Sequence, residues 1–250
     1  MMIVALLLAG CRREEAPEPP ETPFLEAEPT PVREGGAVVH GRVRLDGPRP
    51  APRLRPVTIA REACGDDPKP DRSLLVGTNG SVAWAVVTLV QASAGTAVPA
   101  PAPRLVTVDH ARCDFYPYVV VVPPGSRVRV TNSDSILHGV RRWDEEEAVT
   151  IRPDASVALT FPQEEKERLV CDLHYWSSAW VIATATPWHD VTTADGAFSI
   201  AGVPPGRWRL VAWHERFGEV EREIEVPEES GRVEGTLTFP SLAPAPAPTP

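Results

Sequence analysis

No methionine follows Met2, so once the first residues are removed the chain holds no thioether for a metal. Positive charge is scarce: 25 Lys and Arg face 34 Asp and Glu, giving a net charge of −9, and no basic stripe is present. That balance excludes a nucleic-acid binder, which works by neutralising phosphates. A membrane-spanning helix is lacking from the amino terminus, where the apolar stretch at residues 3–9 is too short to cross a bilayer. Neither G-x-S-x-G nor H-E-x-x-H occurs, and the chain reads as a non-enzyme. Long helices are disfavoured by an excess, 29 Pro and 17 Gly, which also predicts many turns.

What is present is alternation. H-G-R-V-R-L from His40, V-A-W-A-V-V-T-L from Val82, A-V-T-I-R from Ala148 and S-V-A-L-T-F from Ser156 read as strands. An all-β molecule of one or two domains follows.

Three residues carry chemistry. Cys171 and His174 stand three apart in L-V-C-D-L-H, and His138 lies upstream in N-S-D-S-I-L-H-G-V. Pro123-Pro124-Gly125 is a turn, residues 126–131 alternate as a strand, and Asn132-Ser133-Asp134 break it before His138. Arg168, Leu169 and Val170 run into Cys171, and a strand resumes at Trp180. A thiolate and two imidazoles converging from two such loops make the trigonal set of one cysteine and two histidines that holds one copper ion; a zinc finger would need a fourth protein ligand. No second histidine cluster is available for the catalytic copper of a reductase or oxidase.

The stretch V-V-V-V-P-P-G-S-R-V-R-V-T-N-S-D-S-I-L-H-G-V, followed by C-D-L-H-Y-W-S-S-A-W-V, resembles cupredoxin-like domains of bacterial periplasmic proteins, among them methylamine-utilisation and plastocyanin-like ones. The resemblance implies a Greek-key β-sandwich, His138, Cys171 and His174 as ligands of one mononuclear copper, and single-electron transfer or copper holding as the task. In that family the second loop typically reads C-D-x-H-P-W-M. Here Tyr175 stands in place of the proline, and Ser177 takes the position of the methionine that serves as weak axial ligand. The family's H-N-V is His138-Gly139-Val140, without the side chain that helps tie the ligand loops together. Axial bonds of this kind tune the potential more than they anchor the metal, so the trigonal set survives with Ser177, a backbone carbonyl, Gln163 or water at that position. The alternative is a degenerate domain without metal, acting as a surface binding or structural module.

Residues 1–10 lead into L-A-G-C, which resembles the bacterial lipobox and implies lipidation of Cys11. The expected address is the periplasm or cell envelope, with membrane contact through the lipid anchor only. Residues 11–35, rich in Glu and Pro, read as an extended tether, and 241–250 as a disordered tail. Spare thiols of exported chains usually pair. With Cys11 lipidated and Cys171 a ligand, the expectation is a Cys64–Cys113 disulfide, in keeping with cysteines in similar contexts in cupredoxin-like relatives. Pairing of Cys171 with one of them competes, and would destroy the copper site.

T-T-A-D-G-A-F-S-I from Thr192 and V-P-P-G-R-W-R-L from Val203 resemble the T-D-x-D-G-x-F and P-P-G-x-Y elements of carboxypeptidase regulatory-like, transthyretin-like sandwiches. The G-x-V-x-G-x-V opening of such a sandwich is matched far upstream, from Gly36. The resemblance implies a discontinuous sandwich of residues 36–98 plus 188–240, with the cupredoxin-like domain at 99–187 inserted into it. Consecutive domains, 36–186 and then a small sandwich, are the plainer arrangement. Asp195-Gly196 is expected to make a hairpin turn.

Of the other histidines, His189 and His214 could approach the copper from the second sandwich, although surface or inter-domain positions are their default. His40 and His110 have no partner that the sequence names. Trp176, Trp180 and Trp188 either shield the copper or fill cores. The acidic residues Asp144, Glu145, Glu146 and Glu147 are a solvated loop or a docking patch for a basic redox partner such as a cytochrome.

Overall fold

The structure, a computed structural model, describes residues 36–92, 101–229 and 231–241. Residues 1–35, with Cys11 and the Glu/Pro-rich tether, and residues 242–250 of the tail lie outside the described residues. The class is all-β, as the alternation requires. Helix among the described residues is confined to one turn at Arg61–Cys64 and a 3-10 turn at Arg72–Leu74.

The strands make two sandwiches. A central one is built from strands between residues 105 and 183. One of its sheets orders Val149–Ile151, His138–Arg142, Glu165–Val170, Ser178–Ala183 and Val119–Val122; the other orders Ser156–Phe161, Ser126–Asn132, Leu105–Ala111 and Asp114–Tyr116. Period-two patterning explains the packing. In Ser126–Asn132 the residues Ser126, Val128, Val130 and Asn132 point inward and are buried, whereas Arg127 and Arg129 face water. Val106, Val108, Val128, Val130, Phe115 and Phe161 of one sheet meet Val140, Leu169, Ala179 and Val181 of the other in a shared core.

A flanking sandwich draws its strands from both sides of that segment. Ala37–Leu45 pairs antiparallel with Ala197–Val203 and parallel with Arg232–Glu234 and Leu237–Phe239. The facing sheet orders His189–Val191, Val86–Gln91, Gly206–His214 and Gly218–Val226. Gly41 is required by close approach: a Cβ there would stand 2.3 Å from the Gly235 carbonyl oxygen. The two sandwiches meet through Val86, Tyr118, Val119, Val121 and Ile182, with Trp180 set edge-on to Trp213 at 4.9 Å.

The Asp195-Gly196 turn corrects one expectation. Gly196 adopts φ +74° as such a turn needs, but His189–Val191 pairs with Val86–Gln91 and Ala197–Val203 with Ala37–Leu45, so the turn carries the chain from one sheet to the other and closes no hairpin ladder. The Asp190 carboxylate, accepting from the Ser199 N–H at 2.7 Å, spans the two segments instead.

Candidate metal centre

Strand ends bring the chemistry together. The strand Glu165–Val170 delivers Cys171, a tight turn in which Ser177 N–H donates to the His174 carbonyl folds His174 back, and His138 opens the strand His138–Arg142 beside it. The Nδ1 atoms of His138 and His174 lie 2.9 Å apart, and Cys171 Sγ lies 3.5 Å from His174 Nδ1 and 4.0 Å from His138 Nδ1. An ion held at about 2.0 Å by nitrogen and about 2.3 Å by sulfur needs donors at about this spacing. All three side chains are buried.

Around them stands a second layer. Asp134 Oδ2 accepts from His138 Nε2 at 2.9 Å, which fixes the proton on Nε2 and turns the Nδ1 lone pair toward Cys171 and His174. The same carboxylate accepts from the backbone N–H groups of Arg112 and Cys113, each at 2.7 Å, and so pins a turn whose two residues have φ of 52° and 61°. Burial would raise the Asp134 pKa, but the imidazoles and backbone N–H groups around it hold this carboxyl below the usual range. Gly139 N–H donates to Cys171 Sγ at 3.4 Å. A Cβ at Gly139 would meet only ordinary contacts, 3.5 Å or more, so its missing side chain is not forced by crowding.

Electrostatics favours neutral donors. Burial, with the neighbouring His138, lowers the His174 pKa to about 4, and burial lowers that of His138 against the pull of Asp134. Burial also pushes the Cys171 thiol up, so metal binding must displace its proton.

His110, for which sequence reasoning named no partner, is the buried neighbour of the trio. Its ring stacks on that of His138 with centroids 3.5 Å apart. One donor atom from each of His110, His138, Cys171 and His174 lies within 4.8 Å of the others. The signal was in the alternation: in L-V-T-V-D-H-A, His110 shares the inward parity of Val106 and Val108. Ser177 is buried as well, and its Oγ stands 3.2 Å from His110 Nε2.

Cys64 and Cys113 are disulfide-bonded and Cys171 is free. Trp176 abuts the site, its ring 5.2 Å from that of His174 and its Nε1–H donating to the Cys113 carbonyl. Trp180 lies between the sandwiches, and Trp188 packs on Trp208 in the flanking core. His189 and His214 stand outside the cluster, both buried; His214 stacks on Phe217, and burial lowers its pKa to about 4. His40 is on the strand Ala37–Leu45 of the flanking sandwich.

Substituting Asp134→Asn is expected to weaken metal binding about 10- to 100-fold, the usual loss when a carboxylate behind a ligating histidine is removed. Competition with a chelator of known affinity checks this.

No protein-family model matches the chain, and no curated protein matches it. Among solved structures, a purple cupredoxin from Nitrosopumilus maritimus aligns at 17% identity over 31% of this chain and 98% of its own, with a TM-score of 0.28. Amicyanin from Paracoccus versutus aligns at 19% identity over 39% of this chain and 98% of its own, with a TM-score of 0.30. A Cu-containing nitrite reductase from Thermus scotoductus aligns at 20% identity over 38% of this chain and 25% of its own, with a TM-score of 0.29. At these values no family is assigned to the chain.

Proposed function

We propose that this is an envelope protein that binds one copper ion through Cys171, His138 and His174 and uses it for single-electron transfer or copper holding. The gathering of one sulfur and two Nδ1 atoms, all buried and 2.9 to 4.0 Å apart, carries the reading. A soft thiolate beside neutral imidazoles suits copper, and divalent copper heads the affinity order of first-row ions at such donors. Bound copper would supply one-electron chemistry between its two oxidation states.

The chain's own part is to keep the donors still. Sheet pairing holds the strands that carry His138 and Cys171, which are hydrogen-bonded neighbours through Val170 and Arg141. Asp134 sets the His138 tautomer, and the Gly139 N–H offsets charge on the sulfur. The buried surroundings exclude water, and Trp176 covers one side. Next to the ligands, Leu137, Leu173 and Tyr175 are 49%, 42% and 51% exposed, an apolar rim suited to brief docking of a redox protein such as a cytochrome. The acidic residues 144–147 would steer a basic partner.

The remaining organisation belongs to the same proposal. L-A-G-C before the tether supports lipid anchoring at Cys11 to a bacterial membrane, with the folded part in the periplasm. Pairing of Ala37–Leu45 with strands beyond residue 196 supports a carboxypeptidase regulatory-like sandwich into which the cupredoxin-like domain is inserted.

Copper titration followed by visible spectroscopy tests the function. Wild-type protein is expected to bind copper stoichiometrically and to develop a sulfur-to-copper charge-transfer band that Cys171→Ser lacks. A wild type that binds no stoichiometric copper would instead leave a metal-free binding or structural module.

A further inference from the structure

The His138 ring is held at one edge by the Asp134 carboxylate, and that contact alone does not fix its plane. An imidazole turns broadly about its second side-chain torsion, so a ring anchored only through Nε2 can still swing its Nδ1 away from Cys171 and His174. The face of the ring must be held as well. His110 holds it: fully buried on the strand Leu105–Ala111, its ring lies on that of His138 with centroids 3.5 Å apart and planes 20° from parallel.

His110 is fixed in turn by contacts to both ligand loops. Its Nε2 meets Ser177 Oγ at 3.2 Å, in the turn where Ser177 N–H folds His174 back. Its Nδ1 faces Asp134 Oδ2 at 4.0 Å, too far for a hydrogen bond but close enough for the carboxylate charge to favour a proton there, which leaves Nε2 to accept from the Ser177 hydroxyl. Its carbonyl accepts from Ser133 N–H at 3.0 Å, beside Asp134, and Phe115 lies edge-on to the ring at 4.3 Å. Gly139, next to His138, has no side chain with which to join the loops. The join is made from a third strand instead.

We infer that His110 is the positioning residue that fixes the plane of His138, tying both ligand loops to the strand Leu105–Ala111, and that this rigidity fits the site for electron transfer rather than for copper holding. The inference rests on the copper reading of the same site. Neither nitrogen of His110 is offered to the metal, so the donors stay one sulfur and two Nδ1 atoms. In electron self-exchange one electron passes from a copy with Cu(I) to a copy with Cu(II), with no bond formed or broken and no proton released, since His138 keeps its Nε2 proton toward Asp134 in both states. A ring free to swing would settle differently in each state and slow that step. A copper store has no need of equal geometry in the two states.

The experiment compares full-length wild type with His110→Leu, His110→Phe and Ser177→Ala by X-ray absorption, nuclear magnetic resonance and self-exchange kinetics. Every folded form is expected to show two histidine nitrogens and one sulfur around copper. His110→Leu should slow self-exchange about tenfold and shorten the solvent-exchange lifetime of the His138 Nε2 proton by a similar factor, and His110→Phe, which keeps a ring on that face, should recover most of both. Three histidine nitrogens in the wild type would make His110 a ligand and overturn the inference. So would rates and lifetimes that His110→Leu leaves unchanged, or a folded His110→Phe no better than His110→Leu. Should His110→Leu fail to fold, the lifetime in Ser177→Ala decides, an unchanged value overturning the inference and a shortened one upholding it. A wild type that takes up no stoichiometric copper overturns the copper reading and the electron-transfer role, while the proton lifetime in metal-free protein still decides whether His110 positions His138.

Discussion

Replacing Arg72 by alanine is expected to destabilise the fold by about 3–5 kcal/mol, the cost of leaving a buried charge without its partner. Arg72 lies on the 3-10 turn Arg72–Leu74, outside the strands of the central sandwich, yet its guanidinium reaches into that sandwich. It donates to the Asp114 carboxylate, to the Phe115 carbonyl and to the Ser178 carbonyl, and lies 4.4 Å over the ring of Tyr118. Both partners of the ion pair are nearly buried, with side chains 11% and 9% exposed. Burial raises the Asp114 pKa and Arg72 is the main influence opposing it. With Arg72 gone, the carboxyl takes up a proton or draws in water, and two carbonyls lose a donor. Urea unfolding should show a lower midpoint in Arg72→Ala, whereas Arg72→Leu combined with Asp114→Leu should recover most of the loss, since no orphan charge remains. Equal stability of wild type and Arg72→Ala would mean that this pair contributes nothing.

How much of this was legible in the sequence depends on the range of each contact. Strands such as Ser156–Phe161 and Ser126–Asn132 announce themselves because alternation is local, and the structure gives the first of them the boundaries read from the pattern. The His138, Cys171 and His174 cluster was legible for a similar reason: two members share one turn, and the third closes a segment broken by turn residues. The layer behind them was not. Asp134 meets His138 only once the Asn132-Ser133-Asp134 segment has turned, and His110 reaches the site because Leu105–Ala111 lies parallel to Ser126–Asn132, with His110 level with Asn132. Parity shows that His110 faces inward; it does not show which strand lies alongside. The sheet-switching turn at Asp195-Gly196 was hidden too, since positive φ at glycine is needed whether the next strand pairs with the last one or with another sheet.

The other large effect belongs to the cystine. Removing it with Cys64→Ala and Cys113→Ala together is expected to cost about 4 kcal/mol, the chain-entropy value for a closed loop of the 49-residue separation between the two cysteines. Both must be changed, because a lone Cys113 thiol beside the site would be free to pair with Cys171 during oxidation. The consequence should extend beyond stability. The cystine sulfurs lie within 4.8 Å of a His174 ring nitrogen, Cys113 N–H donates to the carboxylate that orients His138, and the Cys113 carbonyl accepts from Trp176. One covalent link therefore backs both loops of the candidate centre. Thermal melting should fall in the double variant with or without copper, and copper affinity should fall with it, because ordering the ligand loops would then be charged against binding. A variant that melts lower but binds copper as tightly as the wild type would show that the sheets alone hold the three donors in place. Undiminished melting would show that the unlinked chain is already restrained by the packing of Val57, Trp176 and Ile136 around those two positions.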